Sequence, residues 1–217
     1  MAGASIPDDP SRAIPRLTGG ACHVLAGGPS LVPWLPRRDW STGNVIGCNG
    51  IPLLVPDVPI WLMIDPLPGN LLGWAQSNKR AIKYCTAQNS SQVPNGRVIP
   101  VQGKAVMDDP WAKGFFFYHC VAHAACHLAW SWGIKTILVW GLDYQDHADA
   151  WGGHGPSWDM DKVEEGWKRL RDGLRDLGSE VLNCNPQSAL KALPLVDPNL
   201  AIGDGYDLAQ KETVACH

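Results

Sequence analysis

Short apolar runs separated by helical stretches constrain the fold of this 217-residue chain more than any other feature. The runs are rich in Val, Ile and Leu, as strands buried on both faces of a parallel sheet tend to be. They lie at 22–26, 44–48, 59–64, 97–101, 136–140 and 179–183. Because parallel strands need crossover connections, the pattern predicts an α/β fold with a mostly parallel sheet of about six strands and helices on both faces.

Two of the intervening stretches are typical of helices. Residues 118–132 are mostly apolar and rich in alanine, which predicts a buried helix. Residues 160–177 carry apolar side chains at spacings of three and four, which predicts an amphipathic helix with one face on the core. Residues 1–20, rich in Pro, Gly and Asp, are expected to form a loose lead-in to a single domain at 21–217.

The composition argues against several classes of protein. The net charge of -3 gives no strong basic field that would attract nucleic acid. No apolar run reaches the ~20 residues that a membrane-spanning helix needs, and the first residues do not resemble a signal peptide. Seven cysteines without a Cys-x-x-Cys pair are typical of a reduced, cytoplasmic protein with buried thiols.

The predicted fold selects the loops in which a ligand would bind. In open α/β sheets, ligands bind beyond the carboxyl ends of the strands. Five loops follow predicted strands and are therefore expected to converge on one crevice. They are Gly27–Ser30, Cys48–Gly50, Asp65–Pro66, Gly141–Tyr144 and Asn183–Ser188.

The first of these loops, Gly27-Gly28-Pro29-Ser30, ends a strand with a sharp turn into a helix. Such a turn leaves backbone N–H groups at the helix start, where phosphate binds readily. The same residues also form ordinary turns, in which Ser30 would simply cap a helix. The position after the first strand of an α/β pattern favours phosphate binding.

The next two loops each offer one polar side chain. Asn49 can bond to a ribose or a base, and it can equally form an Asx turn into Gly50. Asp65 can hold a ribose, a metal or an acceptor hydroxyl, and it can equally be a turn residue before Pro66. The local sequence leaves both alternatives open.

The last two loops follow the strands at 136–140 and 179–183. Gly141 permits close approach of another backbone, and Asp143 and Tyr144 are expected to point into the crevice as hydrogen-bonding groups. Gly141 and Asp143 are therefore predicted to contact a bound nucleotide. Asn185 and Ser188 follow the last strand, where they either close over a nucleotide or cap the helix that follows.

Histidines occur in two settings. A long glycine-rich loop holds His147, Asp149 and His154; it is a candidate lid that supplies a general base, with metal binding as the competing interpretation. The helix at 118–132 repeats histidine every four residues, at His119, His123 and His127. Zinc can bind that spacing, but the apolar surroundings favour histidines satisfied in the core or lining the crevice.

Four blocks of sequence, taken in order, resemble the bacterial sialyltransferases of glycosyltransferase family 42. The blocks are Val24–Leu31, Cys48-Asn49, Ala124–Tyr144 and Leu182–Leu190, within residues 22–193. They also resemble the wider Rossmann-like set around that family, which includes archaeal 6-hydroxymethylpterin diphosphokinases and many phage proteins. The resemblance implies a Rossmann-like domain that binds a nucleotide-sugar donor through the first two blocks, without a resident cofactor.

The same resemblance implies the roles of three residues. By position, His154 corresponds to the histidine that acts as base, with His147 as the next match, and Tyr144 corresponds to a tyrosine that assists the leaving phosphate. The chain departs from the family at Cys120-Val121-Ala122, which replaces a Thr-Ser-Gly that contacts the donor. A changed donor or acceptor is therefore expected.

Two other functions stay open at the level of sequence. One is diphosphate transfer from ATP to a small alcohol, in which Asp65, Asp143 and Asp149 would carry magnesium. The other is nucleotide binding without catalysis.

Overall fold

The computed structural model describes residues 20–103, 107–144, 159–203 and 206. Nine strands lie in these ranges. They are β1 (Cys22–Leu25), β2 (Val45–Cys48), β3 (Ile60–Met63), β4 (Ile82–Cys85), β5 (Arg97–Val98), β6 (Val101–Gln102), β7 (Phe115–Phe116), β8 (Thr136–Trp140) and β9 (Glu180–Asn183). Seven of them form one sheet in the order β5-β4-β3-β2-β1-β8-β9, and β6 pairs with β7 in a second sheet. Every pairing between these strands is parallel.

Helices connect the strands. The α-helices are α1 (Gly69–Ser77), α2 (Pro110–Lys113), α3 (Val121–Ser131), α4 (Met160–Asp176) and α5 (Pro198–Ala201), and 3-10 helices lie at Pro29–Arg37, Ile51–Leu53 and Ala87–Asn89. The predicted helices at 118–132 and 160–177 correspond to α3 and α4. No helix within the described ranges has both the length and the apolar character needed to cross a membrane. Of the predicted lead-in, only Gly20 lies within the described residues.

Alternate residues of the central strands of the large sheet enter two apolar layers, one on each face of the sheet. In β1, Cys22 and Val24 pack in the layer that contains α3 and α4. Leu25 packs in the opposite layer, with residues of α1, α5 and the 3-10 helix at Pro29–Arg37. Many α3 residues on the sheet are alanine, and these small side chains let the helix lie close to the strands. The fold is therefore the predicted α/β arrangement with helices on both faces.

Two details of the sheet differ from the sequence prediction. Strand β4 was not predicted, because Lys83 interrupts the short apolar run Ile82–Cys85. The predicted strand at 97–101 is divided between β5 in the large sheet and β6 in the small one. Pro100 lies at the division, and a proline has no N–H to donate to a strand ladder.

The strand order locates the ligand-binding edge. From β1 the chain builds the sheet through β2, β3, β4 and β5 in one direction, and through β8 and β9 in the other. The order reverses between β1 and β8, and in open α/β sheets the crevice lies at such a reversal. The loops after these two strands are therefore the centre of any candidate site.

A buried lysine anchors α1 to the sheet. Lys83 is only 4% exposed, and its ammonium donates to the backbone oxygens of Ala75 at 2.7 Å and Asn78 at 2.6 Å. These oxygens belong to the C-terminal end of α1, where helix carbonyls lack partners within the helix and attract a cation. Burial lowers the pKa of Lys83.

Replacing Lys83 with methionine tests this anchor. Lys83→Met is expected to lower the free energy of unfolding by about 1–3 kcal/mol, because two buried carbonyls lose their donor. Lys79→Met is the matched control, since Lys79 is exposed and its one hydrogen bond among the described residues is to the Gln76 oxygen of α1, at 3.3 Å. Urea denaturation measures both variants. An equal, small effect of the two substitutions would contradict the anchoring role.

Candidate functional site

The loops after β1 and β8 are packed directly against each other. The N–H of Gly28 donates to the oxygen of Gly141 at 2.9 Å. A Cβ on Gly28 would lie 2.0 Å from Oδ2 of Asp143, and a Cβ on Gly141 would lie 2.6 Å from the oxygen of Ala26. Gly141 also has φ of +74°, a conformation that favours glycine. Both glycines are therefore required by this loop–loop contact.

The Asp143 carboxylate connects three loops at the carboxyl edge. Its Oδ2 accepts a hydrogen bond from the Ser30 N–H at 3.0 Å, and its Oδ1 accepts one from the Asn185 amide. The backbone oxygen of Asp143 accepts from the Ala189 N–H at 3.1 Å. A residue predicted to contact nucleotide thus has both carboxylate oxygens bonded within the protein.

Backbone N–H groups of the predicted phosphate loop are also bonded to the loop after β8. The Gly28 and Ser30 N–H groups donate to Gly141 and Asp143, and Pro29 has no N–H. Ser188, also predicted to bind nucleotide, is 2% exposed and its hydroxyl donates to the Leu142 oxygen, so in this structure it joins the loops after β8 and β9. A phosphate at the first loop would have to compete with the Asp143 carboxylate.

The loops after β2 and β3 form a second bonded pair. Asn49 has φ of +46°, and its side-chain amide donates to Oδ2 of Asp65 at 2.8 Å. Its backbone oxygen accepts from the Trp61 indole at 2.7 Å. The backbone oxygen of Asp65 accepts from Asn89 at 2.7 Å. Asp65 itself is exposed, which leaves its carboxylate accessible at the edge of the sheet.

Two buried oxygens at this edge have no hydrogen-bond partner among the described residues. They are the Ser30 hydroxyl, after β1, and the Asn49 amide oxygen, after β2. A buried polar atom left without a partner costs about 1–3 kcal/mol. Such atoms beside a predicted crevice are suited to bond with polar groups of a ligand.

Tyr144 lies where β8, α3 and α4 meet. Its hydroxyl accepts from the Trp167 indole at 2.8 Å and donates to Sγ of Cys120 at 3.3 Å. Burial raises the pKa of Tyr144, and Cys120 raises it further, so the phenol stays protonated at neutral pH. With φ of +50°, Tyr144 has a strained backbone, and such strain is concentrated at functional sites.

Cys120 is a further candidate site residue, through its contact with Tyr144. Sequence reasoning missed it, because it was considered only as a departure from the family pattern. It is the N-cap of α3, at the carboxyl edge of the sheet. Burial raises the pKa of its thiol, while the Tyr144 hydroxyl and the amides of Ala122 and His123 lower it. Its place immediately before an alanine-rich helix was the available signal.

The three histidines near α3 do not form a common site. His127 is fully buried; its Nδ1 accepts from the Phe116 N–H at 3.0 Å, and its Nε2 lies 3.1 Å from the Met107 oxygen. His123 is 1% exposed, packs 4.3 Å from the Trp167 ring and lies beside the backbone of Tyr118. His119 is exposed. The prediction of a satisfied core histidine is confirmed for His127.

The other predicted histidines, His147 and His154, lie outside the described residues, as does Asp149. Within the described ranges, no group of three or more His, Cys, Asp or Glu side chains is arranged to hold a metal ion.

Replacing Gly28 tests the packing of the β1 and β8 loops. Gly28→Ala is expected to lower the free energy of unfolding by about 1–3 kcal/mol, because the new Cβ overlaps Asp143 and Gly141. Gly73→Ala is the control, since a Cβ on Gly73 meets nothing within 4 Å and the exchange removes a glycine from α1. That variant is expected to gain about 0.5–1 kcal/mol. If the two variants unfold at similar temperatures, Gly28 is not required for the contact between the loops.

The buried histidines predict a pH dependence of stability. Burial lowers the pKa of His123 to about 3 and of His127 to about 4. Below pH 6.5 the unfolded chain takes up these protons and the folded chain does not, so stability falls as the pH drops towards 4. Each histidine contributes about 1.4 kcal/mol per pH unit in that window.

Chemical denaturation at several pH values measures this slope. His123→Phe is expected to remove one histidine's share of the slope, because His123 no longer takes up a proton on unfolding. An unchanged slope in His123→Phe would contradict the assignment.

Comparison with protein-family models, with curated proteins and with solved structures finds no match to this chain. The resemblance to glycosyltransferase family 42 therefore stays a prediction that depends on four short blocks of sequence.

Proposed function

We propose that this chain binds a nucleotide at the carboxyl edge of its sheet and transfers a sugar from a nucleotide-activated donor to a hydroxyl acceptor. One observation carries the proposal. Three of the loops that the sequence singled out, after β1, β8 and β9, are bonded to one another where the strand order reverses. The loops after β1 and β2 each bring a buried oxygen without a partner among the described residues to the same edge of the sheet. Ligands of open α/β sheets bind at this position.

The polar groups at the edge suit the parts of a nucleotide. The Ser30 hydroxyl can donate to a phosphate oxygen, and the Asn49 amide oxygen can accept from a base or a ribose hydroxyl. The exposed Asp65 carboxylate, held on one oxygen by Asn49, can accept from a ribose or acceptor hydroxyl. These three residues divide the recognition of donor and acceptor between adjacent loops.

The proposed reaction needs a base and a group that stabilises the leaving phosphate. His154, or His147 as the next candidate, takes the proton of the acceptor hydroxyl while the acceptor oxygen bonds to the anomeric carbon of the sugar. The bond from that carbon to the nucleotide phosphate breaks, and the phosphate leaves with the electron pair. Tyr144, a phenol held protonated by burial, donates to the departing oxygen after its hydroxyl has turned away from the Cys120 sulfur.

The reaction thus assigned requires no divalent metal. The acceptor is a small molecule or a glycan. The six described cysteines are free, which supports the reduced cytoplasmic compartment that we propose for the protein.

A panel of nucleotide sugars tests the proposal. Purified protein is expected to hydrolyse or transfer at least one donor, and His154→Ala is expected to lower kcat about 100-fold or more, because a general base contributes at least that much. His147→Ala is the paired variant, expected to retain most of the activity. Product formation is followed by mass spectrometry, and full activity of His154→Ala would exclude His154 as the base.

The same assay separates the other functions. Magnesium-dependent turnover of ATP with release of AMP would assign diphosphate transfer instead. Tight binding of a nucleotide without turnover, in the presence of candidate acceptors, would assign a non-catalytic nucleotide-binding protein.

A further inference from the structure

The Asp143 carboxylate lies where a phosphate would bind at the start of the 3-10 helix at Pro29–Arg37. Its Oδ2 is 3.0 Å from the Ser30 nitrogen, and Oδ1 accepts from the Asn185 amide. It also fills the space above Gly28, since a Cβ there would lie 2.0 Å from Oδ2 and 2.7 Å from Cγ. A negatively charged group is thus already seated in the predicted anion position.

The groups around this carboxylate suit an oxyanion in general. The Ser30 N–H and the Asn185 amide are donors in use, and the Ser30 hydroxyl is a buried donor without a described partner. A backbone N–H at a helix start favours negative charge. If the carboxylate turned away, the Ser30 N–H and the Asn185 amide would be left without an acceptor beside the open backbone face of Gly28.

We propose that Asp143 is a displaceable occupant of the phosphate site: the phosphate of a bound nucleotide replaces its carboxylate on Ser30 and Asn185. The inference rests on the proposed function, and it reverses the role expected for Asp143 from the sequence. A residue that contacts nucleotide strengthens binding, whereas one that occupies its site weakens it. The contact with Ser30 holds the site closed until an anion of sufficient affinity competes.

The sign of the effect makes the proposal testable. Asp143→Ala frees the Ser30 N–H and the Asn185 amide and removes a negative charge. It is expected to bind inorganic pyrophosphate about tenfold more tightly than the wild-type protein, because a charge-assisted hydrogen bond contributes on this scale. Asp143→Asn keeps an acceptor for Ser30 and is expected to show a smaller gain. Isothermal titration calorimetry measures the affinities at fixed ionic strength, and thermal unfolding confirms that each variant is folded.

Two controls separate displacement from a general charge effect. Asp65→Asn removes the same charge from the same edge of the sheet without freeing Ser30, and its affinity is expected to stay within about twofold of wild type. In the double variant Asp143→Ala/Asn185→Ala, the gain in pyrophosphate affinity is expected to be smaller, because the Asn185 amide can no longer donate to the phosphate. An equal gain from Asp65→Asn and Asp143→Ala would overturn the proposal.

Weaker or unchanged pyrophosphate binding in Asp143→Ala, or no binding by either protein, would also overturn it. The outcome for the proposed function is distinct. If the protein turns over a nucleotide sugar but Asp143→Ala shows no gain in pyrophosphate affinity, the proposed function stands and the displacement of the Asp143 carboxylate is excluded. If Asp143→Ala binds pyrophosphate more tightly but neither protein binds CMP, UMP, GMP or AMP, the displaceable carboxylate stands and the proposed nucleotide function is excluded.

Discussion

Strand β1 is joined to β8 along its whole length and again beyond its end, and this junction determines where the candidate residues can act. All four β1 residues pair with β8, and the ladder continues through the Ala26 N–H to the Trp140 oxygen and the Gly28 N–H to the Gly141 oxygen. A buried side-chain bond, from the Trp140 indole to His23, adds to it at 3.1 Å. The junction brings Asp143 onto Ser30 and so couples the loops on both sides of the reversal.

The sheet was largely predictable because burial on both faces selects Val, Ile and Leu, and these residues are visible in a single sequence. The prediction failed where a residue also had to make a specific hydrogen bond or could not donate one. Lys83 lies inside β4 and is buried, yet its ammonium reaches carbonyls at the end of α1. Polarity alone therefore gave the wrong answer at that position. Pro100 divided a predicted strand because the missing N–H matters more than the apolar run around it.

The location of the candidate site was predictable, but its internal contacts were not. The topological rule placed the candidate loops at one edge, because parallel strands direct all their carboxyl ends the same way. The bond between Ser30 and Asp143 joins residues 113 positions apart, and no local pattern contains it. Gly28 illustrates the difference: its sequence context indicated a phosphate loop, while the space that it provides is occupied by a carboxylate of the same chain.

Asp65 and Asp143 show why residue type and strand position do not determine a role. Both follow a parallel strand at the same edge, so sequence reasoning placed both among the candidate ligand-binding residues. Asp143 has donors from two loops on its two oxygens, whereas Asp65 is exposed and its one described side-chain bond is to Asn49. Moving Asp143 breaks contacts between loops, while Asp65 can accept a ligand hydroxyl without breaking any. Tertiary partners thus separate a carboxylate that organises the crevice from one that is free to contact what binds there.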